Sequence, residues 1–138
     1  EKKQKFIGAI HAGWKGAFKG IIKKTIQLLK KNGCSEKDMI ACIGPCINKN
    51  SYEVKNDFFK LFKDKNKKNV NFFTFKRKKI YFDLSEYIKS QFYENGVKKI
   101  DIIRKDTYAI ENNFFSSRRS KKNKHNDYGR NISAIMIK

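Results

Sequence analysis

Apolar residues in this chain come in two rhythms, short continuous runs and stripes that return at helical spacing. The first run, FIGAI at residues 6–10, predicts a buried strand that delivers His11 to its C-terminal end. Gly13 and Gly16 follow as turn residues. Phe18, Ile21, Ile22, Ile26 and Leu29 then recur at helical spacing, with Lys19, Lys23, Lys30 and Lys31 mostly turned away from them, which predicts a helix over residues 16–32. Lysines in its last turn suit the helix dipole, and Gly33 predicts a left-handed stop. Gly20 lies inside this helix, where it costs about 1 kcal/mol against alanine.

A second run, residues 39–43, predicts another buried strand. It breaks at Gly44-Pro45, and this single proline fixes a sharp corner that exposes Cys46. Asn50 and Glu53 resemble a capping box ahead of Val54, Phe58, Leu61 and Phe62, so a helix is expected over residues 51–64. Residues 63–69 read as a charged loop with nothing to bury. Aromatic, β-prone residues 71–75 and 79–82 flank a basic turn at 76–78 and predict a hairpin, half-buried with its polar side wet; the interleaved Phe and Lys also admit base stacking. Asp83 and Glu86 form a second capping pair, Leu84, Tyr87, Ile88 and Phe92 a helical stripe, and Gly96 its stop. Residues 99–104 return as a strand. After Phe114 and Phe115, residues 116–128 are too polar for a core and predict a loop closed by Gly129 and Arg130. Residues 132–137 are apolar on both alternating faces apart from Ser133, as an interior strand would be. Helices and strands alternate in places, and the hairpin interrupts that rhythm. The expected class is therefore mixed-sheet α/β or α+β.

Length and composition narrow this picture. A chain of 138 residues with 39% hydrophobic residues supports one compact domain over residues 1–138. It holds no run of 18 apolar residues and opens on no charged-then-apolar leader, so a soluble, untargeted, cytoplasmic protein with no membrane contact is expected. Three cysteines, Cys34, Cys42 and Cys46, are too few and oddly numbered for a disulfide framework, which favours a reducing compartment. A formal net charge of +20 draws polyanions non-specifically at low salt, whether or not that is the chain's task. Only five of the 33 basic residues are arginine, and the lysines are scattered rather than gathered on one stripe, as an AT-rich coding bias would also produce. No recognised RNA or DNA module signature is present.

Candidate chemistry gathers at three places. Where the first strand meets its helix, the helix N-terminus presents partial positive charge and Lys15 adds a full one, making an anion corner beside His11. From Gly8 the chain reads G-x-x-x-x-G, yet Trp14 and Lys15 stand where a P-loop needs Lys and then Ser or Thr, which excludes that motif. Taken alone, His11 also reads as a strand-end histidine hydrogen-bonded to backbone. The second place is Cys46, either a buried thiol at the proline corner or a member of the site. With Cys42 it gives a weak zinc signal, since no second Cys/His pair completes four ligands. The third is the segment holding Arg118, Arg119 and Arg130, three of the five arginines. Guanidinium grips phosphate or carboxylate in a planar fork, so this segment reads as an oxyanion clamp or as a solvated basic loop. His125, among Lys and Asn, reads as solvent-exposed.

In order along the chain, HAGWKG at residues 11–16, IGPCI at 43–47, SYEV at 51–54, FFSSRR at 114–119 and YGR at 128–130 resemble the laccase-domain (YfiH-like) family. The match spans nearly the whole chain. Members of that family are described as polyphenol oxidases and as purine nucleoside phosphorylases with adenosine deaminase activity. The resemblance implies a layered α-β-β-α fold with mixed sheets. It implies an enzyme that phosphorolyses adenosine, inosine or methylthioadenosine and deaminates adenosine, with purine nucleoside and phosphate as small-molecule partners. It also implies one zinc or copper ion held by two histidines and a cysteine, of which the HAGW histidine maps to His11. The other two precede that motif in the family, whereas ten residues precede His11 here. The chain is thus expected to be a C-terminal portion of the family domain with its other ligands upstream, or a relative that has lost the chemistry. Where the family carries Cys-Thr after the 99–104 strand, this chain has Asp106-Thr107, which removes any cysteine role there.

The resemblance makes His11 the expected metal ligand and a catalytic residue; the residues' own chemistry adds Cys46 as a second expected catalytic residue and Lys15, Arg118 and Arg119 as the expected phosphate-binding residues. Two other readings stand beside it. One is a cysteine hydrolase with Cys46 as nucleophile and His11 as base. The other is a basic RNA-binding or scaffold protein without catalysis. Polyphenol oxidation ranks below these, because copper electron-transfer centres need a defined ligand set that the residues do not show.

Overall fold

The computed structural model of the chain describes every residue except Lys2, Gln4, Lys5, Asn126, Asp127 and Lys138. The described residues group into two compact units, the first comprising Glu1–Ile43, Ser85–Ile103 and Ser133–Lys138, the second Gly44–Leu84 and Arg104–Ile132. Five helices and five strands are ordered among them, with one parallel and one antiparallel sheet, a mixed α/β fold as expected. No helix among the described residues is long and apolar enough to cross a membrane.

In the first unit Gly20 decides the helical layout. Its backbone sits at φ +82°, a left-handed conformation that glycine adopts without steric cost. The expected single helix is therefore two, α1 (Trp14–Phe18) and α2 (Ile21–Lys31), with Gly20 as the N-cap of the second. Periodicity hid this break, because Phe18, Ile21 and Ile22 keep helical spacing across it. α2 buries Ile22 and Ile26 and stops where expected: Gly33 lies at φ +81°, its N–H donating to Lys30 O at 3.0 Å and that of Cys34 to Leu29 O at 3.1 Å. α4 (Leu84–Glu94) stops likewise at Gly96, and the Gln91 side-chain amide donates to Ala17 O at 3.0 Å, fastening α4 to α1.

β1 (Ile40–Ile43) and β5 (Lys99–Ile102) pair in parallel, from Ile40 opposite Lys99 to Ile43 opposite Ile102. Of the run expected to be buried, residues 39–43, Met39 and Ile43 are buried, whereas Ile40 and Cys42 are exposed. Two other expected strands are absent. Residues 6–10 are irregular, with Phe6, Ile7 and Ile10 exposed, and residues 132–137 are irregular and exposed rather than interior, Ile132 being 92% exposed. Apolar alternation sets which side chains could be buried, but a strand also needs a neighbour to take its N–H and C=O groups, and neither segment enters a ladder among the described residues.

The second unit is built around aromatic rings. Glu53 and Val54 do not open a helix but form β2 (Glu53–Val54), paired antiparallel with Tyr81 and Ile80 of β4 (Lys79–Phe82). The expected capping box fails because Glu53 belongs to this ladder, and α3 (Asn56–Lys65) starts later. Residues 63–69, expected as a loop with nothing to bury, complete α3 and enter a 3₁₀ turn over Lys67–Phe72, where buried Asn69 donates its Nδ2 to Phe62 O at 2.8 Å. That turn delays β3 (Phe73–Lys76). The hairpin itself is as expected, β3 pairing antiparallel with β4 around Arg77 and Lys78. Phe58 stacks on Phe62 at 4.7 Å between centroids, Phe82 meets Phe62 at 4.8 Å and Phe73 at 4.9 Å, and Tyr52 meets Phe82 edge-on at 5.8 Å. Residues 116–128, expected as a loop, contain α5 (Ser117–Lys122), whose N-cap Ser116 is buried and accepts from Arg119 N. The Asn126 and Asp127 portion of that expected loop lies outside the described residues.

Because Phe82 is fully buried among four rings, Phe82→Ala is expected to cost about 3–5 kcal/mol. Phe75→Ala, at a residue 62% exposed, is expected to cost about 1 kcal/mol or less. Urea denaturation of the two variants measures the difference, and equal losses would refute this assignment of the core.

Candidate functional site

His11 leaves the irregular segment 6–10 with its ring folded back over the turn: a Cβ built on Gly13 would lie 3.1 Å from His11 Nε2. Gly13 itself has ordinary extended dihedrals, φ −62° and ψ 166°, so room rather than backbone freedom is what its missing side chain provides. The imidazole is exposed. Lys15 is exposed too, its Nζ lying 5.6 Å from the Trp14 ring centroid, within reach of the cation–π attraction. Among the described residues no group of three or more His, Cys, Asp and Glu side chains is placed to hold a metal ion. His11 offers one donor, and the residues present do not by themselves complete a metal site.

In the second unit the organising group is Asp106, which sequence reasoning noted as a departure from the family and gave no role. Its Oδ1 accepts from Asn48 N at 3.1 Å and Tyr108 N at 2.8 Å, and its Oδ2 from Ser51 Oγ at 2.6 Å. The bond to Tyr108 N is an Asx turn, a signal legible in Asp106-Thr107-Tyr108. Asp106 also stands opposite Cys46 in an isolated parallel bridge, where Thr107 N donates to Cys46 O at 3.1 Å. One carboxylate thus ties the segment after Pro45 to the segment after β5. Cys46 is half-buried rather than presented at the corner. Burial pushes its thiol from 9.0 up to about 11, and the Asp83 and Asp106 carboxylates add to the rise.

The two arginines of FFSSRR have separate employments. Arg118 donates Nη1 to Glu53 O at 2.8 Å and lays its guanidinium 5.1 Å from the Tyr52 ring centroid. Burial raises the Tyr52 hydroxyl above its usual range, against the lowering influence of Arg118. Arg119 donates Nη1 to Thr107 O at 3.1 Å and Tyr108 O at 2.8 Å, and Nη2 to Phe114 O. Among the described residues no acceptor takes its Nε hydrogen or its second Nη2 hydrogen. Phe115 N donates to Asn131 Oδ1 at 2.9 Å and Asn131 Nδ2 to Phe115 O at 2.8 Å, so the segment after YGR is joined to FFSSRR. Arg130 turns to its own Tyr128, donating to its carbonyl and stacking 4.1 Å from its ring centroid. The second unit therefore brings together Cys46, Tyr52, Asp106, Arg118 and Arg119, while His11 and Lys15 belong to the first.

Comparison with known families gives a match over residues 1–138 to the model described as multi-copper polyphenol oxidoreductase laccase. The chain belongs to this family. Within it, the chain is 39% identical over 137 residues to a purine nucleoside phosphorylase of Rickettsia conorii, covering 97% of this chain and 56% of that protein. A purine nucleoside phosphorylase of Bacteroides thetaiotaomicron is 34% identical over 143 residues, covering 99% of this chain and 51% of the relative. The crystal structure of the hypothetical protein YfiH from Bacillus licheniformis superposes with a TM-score of 0.71 at 26% identity, over 80% of this chain and 43% of that one. The chain spans about half the length of the curated relatives it matches.

A thiol held near 11 stays protonated at neutral pH, which withholds the nucleophile a cysteine hydrolase requires. Alkylation of Cys46 is expected to lag behind that of exposed Cys42 at neutral pH and to accelerate only as pH rises towards 11; rapid neutral labelling would reverse this reading. Because Arg119 holds three carbonyls, Arg119→Ala is expected to lower stability by about 2–3 kcal/mol. A thermal melt reads this directly, and an unchanged midpoint would free Arg119 from the clamp role.

Proposed function

We propose that this chain serves a metal-dependent enzyme of purine nucleoside metabolism, one that splits adenosine, inosine or methylthioadenosine with phosphate and deaminates adenosine. The observation that carries the reading is the HAGWKG turn, in which Gly13 leaves room for an exposed His11 imidazole, in a chain whose relatives are named purine nucleoside phosphorylases. His11 is assigned as one ligand of a single zinc or copper ion, and the remaining ligands to the part of the relatives' length that this chain does not match. Such an ion, when bound, supplies Lewis acidity and acidifies a water molecule. Among the described residues this chain offers it one donor, His11.

The chain's own residues contribute positive charge for phosphate. Lys15 supplies a point charge beside the HAGWKG turn, and Arg119 retains its Nε hydrogen and one on Nη2 after fixing the loop carbonyls. Arg118, steadied by Glu53 O and the Tyr52 ring, adds a second guanidinium. Phosphorolysis needs such charge because inorganic phosphate must stand as a nucleophile against the anomeric carbon. Cys46, protonated at neutral pH, is assigned no nucleophilic task and stays in the reading as a neutral neighbour of Asp106. The three free thiols suit a reducing compartment, and the cytoplasm is the proposed location.

The test is release of free base from inosine, adenosine and methylthioadenosine by a zinc- or copper-loaded protein in which this chain is joined to the part of its relatives' length that it does not match, with and without inorganic phosphate, together with ammonia release from adenosine. Base release that depends on phosphate and on His11 is expected. Release indifferent to phosphate, or none with either metal, overturns the reading.

A further inference from the structure

The antiparallel sheet of the second unit has a face that the reaction above does not use. β4 is its middle strand, with β2 on one side and β3 on the other. Residues alternate across it, so Phe73 and Phe82 turn to the aromatic core while Thr74, Lys76, Lys79 and Tyr81 share the opposite face, Thr74 facing Tyr81 and Lys76 facing Lys79. Over this face lies an open cavity of about 480 Å³, which Lys49, Lys76, Arg77 and Lys79 line together with Tyr81 and Thr74. That volume falls within the range of small-ligand sites.

Two features of the hairpin work against its own folding. Lys76 and Lys79 stand directly opposite one another, a like-charge pair that destabilises a sheet. The two-residue turn between them places Arg77 at φ 50° and Lys78 at φ 61°, a left-handed pair that Asn-Gly satisfies and Arg-Lys does not. Glu53 answers Lys79 at 2.8 Å. Among the described residues no carboxylate pairs with Lys49, Lys76 or Arg77. Positive charge is thus held where both backbone and electrostatics oppose it, around a half-buried aromatic ring, and local rules of this kind are broken where function requires it.

We infer that this face binds a nucleoside phosphate, its base against the Tyr81 ring and its phosphate among Lys49, Lys76 and Arg77, as a free nucleotide or as one unit of a single strand. Bases stack on a tyrosine whatever their sequence, and the cations neutralise the backbone they belong to. The inference concerns binding alone and stands or falls without the phosphorylase reading.

The test measures affinity of the whole 138-residue chain for three probes: adenosine 5′-monophosphate, a short single-stranded RNA, and inorganic polyphosphate. Lys76→Glu/Arg77→Glu is compared with Lys23→Glu/Lys24→Glu on α2, which changes net charge equally. The hairpin variant is expected to weaken RNA binding about tenfold more than the α2 variant and to reduce the salt slope of log K by about 1.4. Tyr81→Ala is expected to weaken RNA and the mononucleotide while sparing polyphosphate, and Tyr81→Phe, which keeps the ring and the fold, to restore both. Binding of the mononucleotide at this face identifies a nucleotide site, and binding of RNA alone a strand site. Equal losses in the two charge variants, or indifference to both Tyr81 substitutions, overturn the inference.

Discussion

The antiparallel sheet of the second unit and the charges that flank it follow from the burial of one ring. Phe82 is fully buried, with Tyr52, Phe58, Phe62 and Phe73 around it, and it belongs to the middle strand of the sheet. A strand's side chains alternate, so committing Phe82 inward commits Tyr81 and Lys79 outward; a slip of one residue would bury an ammonium group instead. The same ring holds Tyr52 edge-on, and Tyr52 in turn underlies the Arg118 guanidinium, whose Nη1 reaches the backbone of β2. A hydrophobic commitment at one position thus fixes where two kinds of positive charge stand, one on the sheet face and one beside the loop.

Elements whose partners lie close in sequence were legible. The hairpin over residues 73–82 carries its own register, and α2 carries both its apolar face and its glycine stop, so local pattern sufficed. Residues 6–10 and 132–137 were misread because a run of apolar residues states a preference for burial and cannot state that a neighbouring strand exists. Glu53 was misread for a related reason. Its spacing from Asn50 suits a cap, but pairing with Tyr81, distant in sequence, satisfies its backbone better. Gly20 shows the opposite failure, a single residue whose φ of +82° ends a helix that every neighbouring side chain would continue.

The candidate site was legible as residue types and illegible as employments. FFSSRR announced two guanidinium groups suited to an anion, yet three of the donations from Arg119 go to carbonyls of residues 107, 108 and 114. Two of those carbonyls belong to the turn that Asp106 organises by accepting from Tyr108 N, Asn48 N and Ser51 Oγ. Backbone geometry of this sort has no residue-type signature beyond the Asx turn. The consequence reaches Cys46, which shares a bridge with Asp106: the carboxylate that orders the loop also disfavours a thiolate beside it. A loop organised around an anion is a poor place to make another, and a neutral thiol is what such a loop keeps.

The charge of +20 bears on function only through its distribution. Lysines along α2 occupy the solvent side of an amphipathic helix, where charge keeps an apolar stripe oriented and the last turn gains from the dipole. Nothing in that arrangement needs a ligand. At the hairpin tip the same residue type stands opposite itself across a sheet and occupies a turn suited to asparagine and glycine, so neither propensity nor pairing accounts for it. A coding bias towards lysine would populate both places alike, but it would not bring Tyr81 and Thr74 to the floor of a cavity between the cations. That floor is set by the burial of Phe82 on the other side of β4, so the aromatic core and the basic face are two consequences of one register.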